Sequence, residues 1–398
     1  MVYLHVPFCR SFCTYCDFYS EIACRGRDEQ SFGLYTQALC AEASRRQDEI
    51  AATSDLNTLY IGGGTPSVLP PVFLRRLVEA VGGAPYREFT IEVNPEDIVE
   101  KGPGYVRELL ALGVNRVSMG VQSLDDGILR WMNRRHDAAH ARQAFGILRE
   151  AGVNNISVDL IFGISQLSEA VFAETLREVL AWRPEHVSAY QLSIEDGSAL
   201  AELVRQGRYS EAPQEQCAAQ YRQLCEALRD AGYVHYEISN WALPGREAVH
   251  NSAYWSRHPY VGLGPAAHSF DGDYRSWNPE TLAFAHAATA SGNHSHPRLC
   301  KREGPASEGS GRGPAQPDVS GGSSPLREGY ERLSAEEARE EEIMLGLRTA
   351  RGVADGLIDA AKAAAALADG RLERTGDGRL RIPEDAWFVS DDIIADLV

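Results

Sequence analysis

The feature of this 398-residue sequence that most constrains its fold is a sixfold alternation of short apolar runs with amphipathic stretches. The runs have the length and β-branched composition of buried strands, and the stretches carry apolar residues at helical spacing. The predicted strands are Val2–Val6, Thr58–Ile61, Phe89–Val93, Val114–Met119, Ile156–Phe162 and His186–Leu192. The predicted helices are Phe32–Glu49, Val72–Val81, Val106–Leu112, Ala138–Ala151 and Glu169–Trp182.

Strand followed by helix along a chain predicts an α/β fold with a parallel sheet covered by helices. Six such units fall short of a closed eight-stranded barrel, so we expect an open (β/α)6 partial TIM barrel. In barrels of this kind the loops after the strands hold the functional site. Because the first cysteines follow the first strand directly, we expect the site at that end of the sheet.

A change of composition near residue 297 divides the chain. Fifteen of the 25 residues of Lys301–Pro325 are Gly, Pro or Ser, which is typical of a flexible linker. We therefore expect four regions: a barrel with the site at 1–235, an extension of the barrel at 236–296, a linker at 297–330, and a small C-terminal domain at 331–398.

The predicted C-terminal domain is helical and carries a β-wing, as in winged-helix domains. Ser334 followed three residues later by Glu337 has the pattern of a capping box, so a helix should begin there. A short strand pair is expected around Leu372–Ile382.

The formal net charge of −17 and the pI near 5.1 argue against a nucleic-acid partner and against a polybasic membrane footprint. No run of eighteen apolar residues occurs, so we expect no membrane-spanning helix. The N-terminus lacks the pattern of a secretory signal, and we expect a cytoplasmic protein.

Three cysteines with the spacing Cys9-x3-Cys13-x2-Cys16 supply three thiolates from one short loop. Three thiolates can hold three irons of a [4Fe–4S] cluster and leave the fourth iron open. The amino and carboxylate groups of S-adenosylmethionine can chelate that open iron. A zinc site is the alternative, but this spacing is unusual for zinc. We interpret the other five cysteines as ordinary thiols: Cys24, Cys40, Cys217, Cys225 and Cys300.

The second predicted strand ends in a glycine run, Gly62-Gly63-Gly64-Thr65-Pro66. Glycines at a strand end let the backbone approach a ligand closely, here the methionine end of the cofactor. Such a run is weak evidence alone and becomes specific beside the cysteine loop.

Seven segments together resemble the coproporphyrinogen oxidase-like branch of the radical-SAM superfamily: YLHVPFC, CTYCDFY, GGGTP, IEVNPE, VSMGVQS, DLIFG and YEISN. The resemblance runs from Tyr3 to about Asn278 and implies S-adenosylmethionine as a cofactor. The residues that it places at this cofactor are Tyr3, Tyr15, Gly63, Gly64, Thr65, Glu92, Gln122, Arg134 and Asp159.

Each polar member of this set also has an ordinary interpretation. Glu92 and Asp159 could cap a helix, and Arg134 could be a surface charge.

Within this branch the sequence is similar to the HemW family of heme chaperones. The true oxidase carries a fourth cysteine at the position of Phe18 and a longer arm before Cys9, where this chain has eight residues. The resemblance implies that the HNxxYW segment binds heme. The residues of that segment are His250, Asn251, Tyr254 and Trp255.

A histidine beside aromatic residues can ligate heme iron, but a satisfied loop histidine is also possible, so the role of His250 stays open. The family implies a hemoprotein acceptor at the cytoplasmic face of the membrane and a possible homodimer. The alternative function is an oxygen-independent coproporphyrinogen III oxidase of porphyrin biosynthesis, and a third is a radical-SAM enzyme acting on another substrate. Whether S-adenosylmethionine is cleaved stays open, and with it whether the protein is an enzyme.

Overall fold

The computed structural model describes residues 1–23, 28–282 and 329–398, and a nine-stranded sheet forms its centre. Seven neighbouring strands are parallel, and the last two, at one edge, are antiparallel to their neighbours. In spatial order the strands are β11 (Val261–Leu263), β1 (Val2–Val6), β4 (Thr58–Gly63), β5 (Glu88–Val93), β6 (Arg116–Gln122), β7 (Ile156–Phe162), β8 (His186–Gln191), β10 (Asn240–Ala242) and β9 (Val234–Glu237).

The open α/β barrel predicted from the sequence is confirmed. The six predicted strands correspond to β1 and β4 to β8, with ends that differ by at most three residues. The sequence analysis missed β9, β10 and β11, because strands of three or four residues are too short to show a period. These three strands extend the same sheet at both of its edges.

Helices follow the strands and cover the sheet. The helix predicted at Val106–Leu112 begins earlier than expected, at Pro95, and its axis breaks at Gly102, where φ is +68°. The helices are α1 (Asp28–Arg45), α2 (Gln47–Ala52), α3 (Pro71–Ala80), α4 (Pro95–Ala111), α5 (Asp126–Trp131), α6 (Ala138–Glu150), α7 (Glu169–Trp182), α8 (Ala199–Arg205), α9 (Gln214–Asp230), α10 (Val249–Trp255), α11 (Ala335–Leu347), α12 (Ala360–Ala368) and α13 (Ser390–Leu397).

Residues along the central strands alternate between two environments. In β6 the outward-facing Val117, Met119 and Val121 are buried against the helices, at no more than 1% exposure. The residues between them, from Arg116 to Gln122, line a cavity inside the barrel. Because strand side chains alternate between faces, the polar positions of the strands form the wall of this cavity.

The remaining strands form three small sheets: β2 (Phe8–Cys9) with β3 (Glu21–Ile22), β12 (His268–Phe270) with β13 (Tyr274–Trp277) and β14 (Gly329–Arg332), and β15 (Glu373–Arg374) with β16 (Leu380–Arg381). The last pair is the strand pair expected near the C-terminus. The capping box of Ser334 and Glu337 is present at the start of α11. Most of the predicted linker at 297–330, including all of Lys301–Pro325, lies outside the described residues.

The C-terminal region packs on the edge of the barrel sheet. Ile238 N donates to Arg348 O at 3.0 Å, and Ala350 N donates to Tyr236 O at 3.0 Å, so backbone bonds join the two regions beside β9. Glu341 Oε2 of α11 accepts a hydrogen bond from Arg257 Nε at 2.7 Å. Among the helices in the described ranges, none combines the length and hydropathy needed to cross a membrane.

Candidate functional site

A cavity of about 640 Å³ runs through the interior of the barrel. Its volume lies in the range of cofactor sites. Fifteen of the sixteen residues singled out from the sequence line it: Tyr3, Cys9, Cys13, Tyr15, Cys16, Gly63, Gly64, Thr65, Glu92, Gln122, Arg134, Asp159, His250, Asn251 and Tyr254. Trp255 lies elsewhere.

The cysteine loop is held by contacts with a second loop, which follows α5. Thr14 N donates to Met132 O at 3.0 Å, and Asn133 Nδ2 donates to Phe12 O at 2.7 Å. Asn133 adopts a left-handed backbone, with φ of +58°. These bonds fix the loop at the C-terminal end of the strands, which is where the sequence analysis expected the site.

The electrostatic surroundings of the three thiols are mixed. Burial raises the pKa of Cys9 to about 11 and that of Cys16 to about 12. Arg134 Nη1 lies 3.5 Å from the sulfur of Cys13, and Thr65 Oγ1 lies 3.4 Å from the sulfur of Cys9. A guanidinium and a hydroxyl donor both favour thiolate, the form that binds metal.

The spacing of these thiols bears on the zinc alternative. A tetrahedral zinc ion with Zn–S bonds of ~2.3 Å would bring its sulfurs to about 3.8 Å from one another. In the described part of the chain, the sulfurs of the three cysteines do not all lie within 4.8 Å of one another. Binding of one zinc ion would therefore require the three thiols to draw closer together.

The glycine run packs tightly against the cysteine loop. Gly64 N donates to Val6 O and Thr65 N donates to Phe8 O, both at 2.8 Å. A Cβ on Gly64 would lie 2.9 Å from Phe8 O, and Gly63 has φ of +108° with the ring of His5 against it. Glycine is thus required here by the close approach of two backbone segments, in addition to any approach of a ligand.

Glu92 points into the cavity from β5 and does not cap a helix. Its carboxylate accepts from Tyr60 Oη at 2.7 Å and from Gly63 N at 3.1 Å. Burial raises the pKa of Glu92 to about 7. Near neutral pH this carboxyl group is therefore partly protonated. An ammonium group or a pair of hydroxyls from a ligand would favour its ionised form.

Arg134 is buried, so the surface-charge interpretation is wrong. Its Nη2 donates to Asn94 Oδ1 at 2.6 Å and to Gly120 O at 2.8 Å, while its buried Nε has no partner among the described residues. Beside it, Gln122 ends β6 in a left-handed conformation with φ of +65°. Strain of this kind is concentrated where a side chain must be aimed at a ligand.

Farther from the cysteine loop, the wall of the cavity is also polar. Asp159 accepts from Ser118 Oγ at 3.0 Å, and burial raises its pKa. Asp159 too caps no helix. The sequence analysis missed two residues of this wall, Arg116 and His186, and Arg116 keeps a buried Nε without a partner among the described residues. The alternation of polar and apolar residues in β6 and β8 was the signal that could have found them.

His250 lies on the floor of the barrel, at the N-terminal ends of the strands. Its Nδ1 lies 2.9 Å from Thr58 Oγ1 and its Nε2 lies 3.1 Å from Tyr254 Oη. The carboxylate of Glu88 accepts from the backbone N–H groups of Val249 and His250, which fixes the start of α10. Burial lowers the pKa of His250 to about 3, so the ring is neutral.

The other residues of the HNxxYW segment lie on different faces of helix α10. Tyr254 follows His250 by four residues and shares its face, whereas Trp255 lies about 140° around the helix. Trp255 lines a second cavity of about 510 Å³ between the barrel edge and the C-terminal region. Asn251 lies between them and donates from Nδ2 to Glu237 Oε1 at 3.0 Å.

A family profile and the sequences of known proteins point to the same family for this chain. The profile of the Radical SAM superfamily matches residues 3–179. A heme chaperone HemW of Mycobacterium tuberculosis is 32% identical over 97% of this chain and 93% of its own length. One of Synechocystis sp. is 36% identical over 70% of this chain and 68% of its own.

Among solved structures, coproporphyrinogen III oxidase (HemN) from Escherichia coli superposes with a TM-score of 0.72. It covers 99% of this chain and 89% of its own, at 19% sequence identity. At that identity the likeness supports the fold alone.

Proposed function

Because this chain belongs to the HemW family of radical-SAM proteins, we propose that it is a heme chaperone that holds a [4Fe–4S] cluster, binds S-adenosylmethionine and heme, and delivers heme to acceptor hemoproteins. The observation that carries the proposal is the single cavity that joins the cysteine loop to three residues of the HNxxYW segment. The cytoplasmic location, the homodimer and an acceptor at the membrane face remain parts of this proposal.

The cluster would be held by Cys9, Cys13 and Cys16, and when bound it would supply electrons and an open iron for the amino and carboxylate groups of S-adenosylmethionine to chelate. Arg134 would then have two tasks: it donates to the Cys13 sulfur, and its guanidinium, which lines the cavity, would attract an anionic group such as the cofactor carboxylate. Glu92 would accept from hydroxyl or ammonium donors of the cofactor.

Heme is the least constrained ligand of the proposal. Phe18 lies at the rim of the cavity and is 67% exposed, where the oxidase carries a cysteine. An exposed aromatic ring suits the apolar face of a porphyrin. Both ring nitrogens of His250 already have partners, so iron ligation by His250 requires that its contact with Tyr254 opens.

The decisive experiment compares two activities of the same anaerobically reconstituted protein. A chaperone should bind heme stoichiometrically and fail to convert coproporphyrinogen III to protoporphyrinogen IX with S-adenosylmethionine and reductant present. Turnover without specific heme binding would instead establish the oxidase of porphyrin biosynthesis. Cleavage of S-adenosylmethionine that depends on a different substrate would indicate the third function.

Two variants separate the possible roles of His250. If it ligates heme iron, His250→Ala should reshape the Soret band, and Tyr254→Phe, which frees Nε2, should leave the band and tighten binding. If His250 only packs at the N-terminal end of the barrel, His250→Ala should leave the heme spectrum unchanged. It should still lower stability, because Thr58 and Tyr254 each lose a buried hydrogen-bond partner.

A further inference from the structure

Three side chains from separate elements meet where the C-terminal region packs on the barrel. Cys225 lies on α9, His235 on β9, and Glu384 begins the 3-10 helix Glu384–Val389. One donor atom from each lies within 4.8 Å of both others, a spacing suited to a single metal ion. The sequence analysis treated Cys225 as an ordinary thiol, because its partners are far away along the chain.

The surroundings of His235 leave a place for a cation. Its Nδ1 lies 3.1 Å from Glu384 Oε1, and its Nε2 lies 3.4 Å from Ile238 O. Both neighbours are acceptors, whereas a neutral imidazole carries one N–H. A metal ion at Nδ1 satisfies both contacts, because Nε2–H then donates to Ile238 O.

This pattern is that of histidine ligands in metal sites, whose second nitrogen donates to a backbone carbonyl. The ring is also held in place. It stacks on Trp241 with centroids 4.1 Å apart and meets the edge of Trp387 at 4.2 Å. Glu384 keeps 49% of its side chain exposed, so ions and water can enter from that side.

We propose that Cys225, His235 and Glu384 bind a divalent ion of the zinc class, with water in the fourth position. One thiolate, one imidazole and one carboxylate form a donor set typical of zinc, and oxygen-seeking ions such as Mg²⁺ disfavour sulfur. Binding replaces the thiol proton of Cys225, which leaves to solvent. The ion would join α9 and β9 of the barrel to the C-terminal region, and this inference does not depend on the function proposed above.

The test uses the full-length protein with its iron–sulfur cluster in place. After incubation with one equivalent of zinc chloride and removal of loose metal with a weak chelator, about one zinc per chain should remain. X-ray absorption at the zinc edge is blind to the iron and should report one sulfur and three N/O neighbours.

Cys225→Ser should remove the sulfur neighbour, and Glu384→Gln, which keeps size and shape, should lower zinc affinity about 10- to 100-fold, as loss of supporting contacts alone can do. Cys217→Ser, on the same helix, is the matched control and should retain the ion. Failure to retain zinc would overturn the inference. So would a zinc shell with three sulfurs, which reports the cluster cysteines, or equal retention by Cys225→Ser.

Discussion

Glu92→Gln offers a quantitative test of the barrel site. The pKa of Glu92 is raised by burial from an ordinary value of 4.5 to about 7. At 1.36 kcal/mol per pKa unit, ionised Glu92 lowers the free energy of unfolding by about 3 kcal/mol. Because the folded pKa is the higher one, this loss is absent below pH 4.5 and grows as the pH rises through about 7.

Between pH 5.5 and pH 8, wild-type protein should therefore lose about 2 kcal/mol of stability through Glu92 alone. Glutamine cannot ionise, but it gives up the bond from Gly63 N, at a cost of about 1 kcal/mol. We expect Glu92→Gln to match wild type at pH 5.5 and to exceed it by about 2 kcal/mol at pH 8.

The assay is anaerobic urea unfolding, followed by tryptophan fluorescence without S-adenosylmethionine. Glu79→Gln, at an exposed position, is the control and should retain the wild-type pH dependence. With the cofactor added, the order should reverse, because loss of a charged acceptor weakens binding about 10- to 100-fold. Equal pH dependence in wild type and Glu92→Gln would refute the reasoning.

Three further changes test other parts of the structure. Cys13→Ala should lose the iron and the reduced-state EPR signal, whereas Cys217→Ser should keep about four irons per chain; cluster retention in Cys13→Ala would exclude the assignment. Gly64→Ala should lower cluster occupancy and cost about 1–3 kcal/mol, since its Cβ would meet backbone at 2.9 Å, and unchanged iron content and urea midpoint would contradict this. Glu341→Ala should cost about 3 kcal/mol, because the largely buried Arg257 loses its carboxylate partner, and hydrogen exchange should rise in the C-terminal region first.

The sequence by itself determined the order and type of the barrel elements and the position of the cysteine loop. Both depend on local signals: residue periods of 2 and 3.6, and cysteines with three and then two residues between them. A helix with a capping box, such as the one that begins after Ser334, is equally local. Because each of these signals involves only residues close together in the chain, it can be recognised from the sequence alone.

Only the tertiary structure decided which residues, far apart in the chain, line the same cavity or meet at the same site. It places Arg116 and His186 in the same cavity as the cysteine loop, and it turns Trp255 away from His250. It also brings Cys225 to Glu384 across 159 positions of the chain. Such meetings depend on how whole helices pack and where short edge strands pair, and a periodic pattern within one segment carries no information about either.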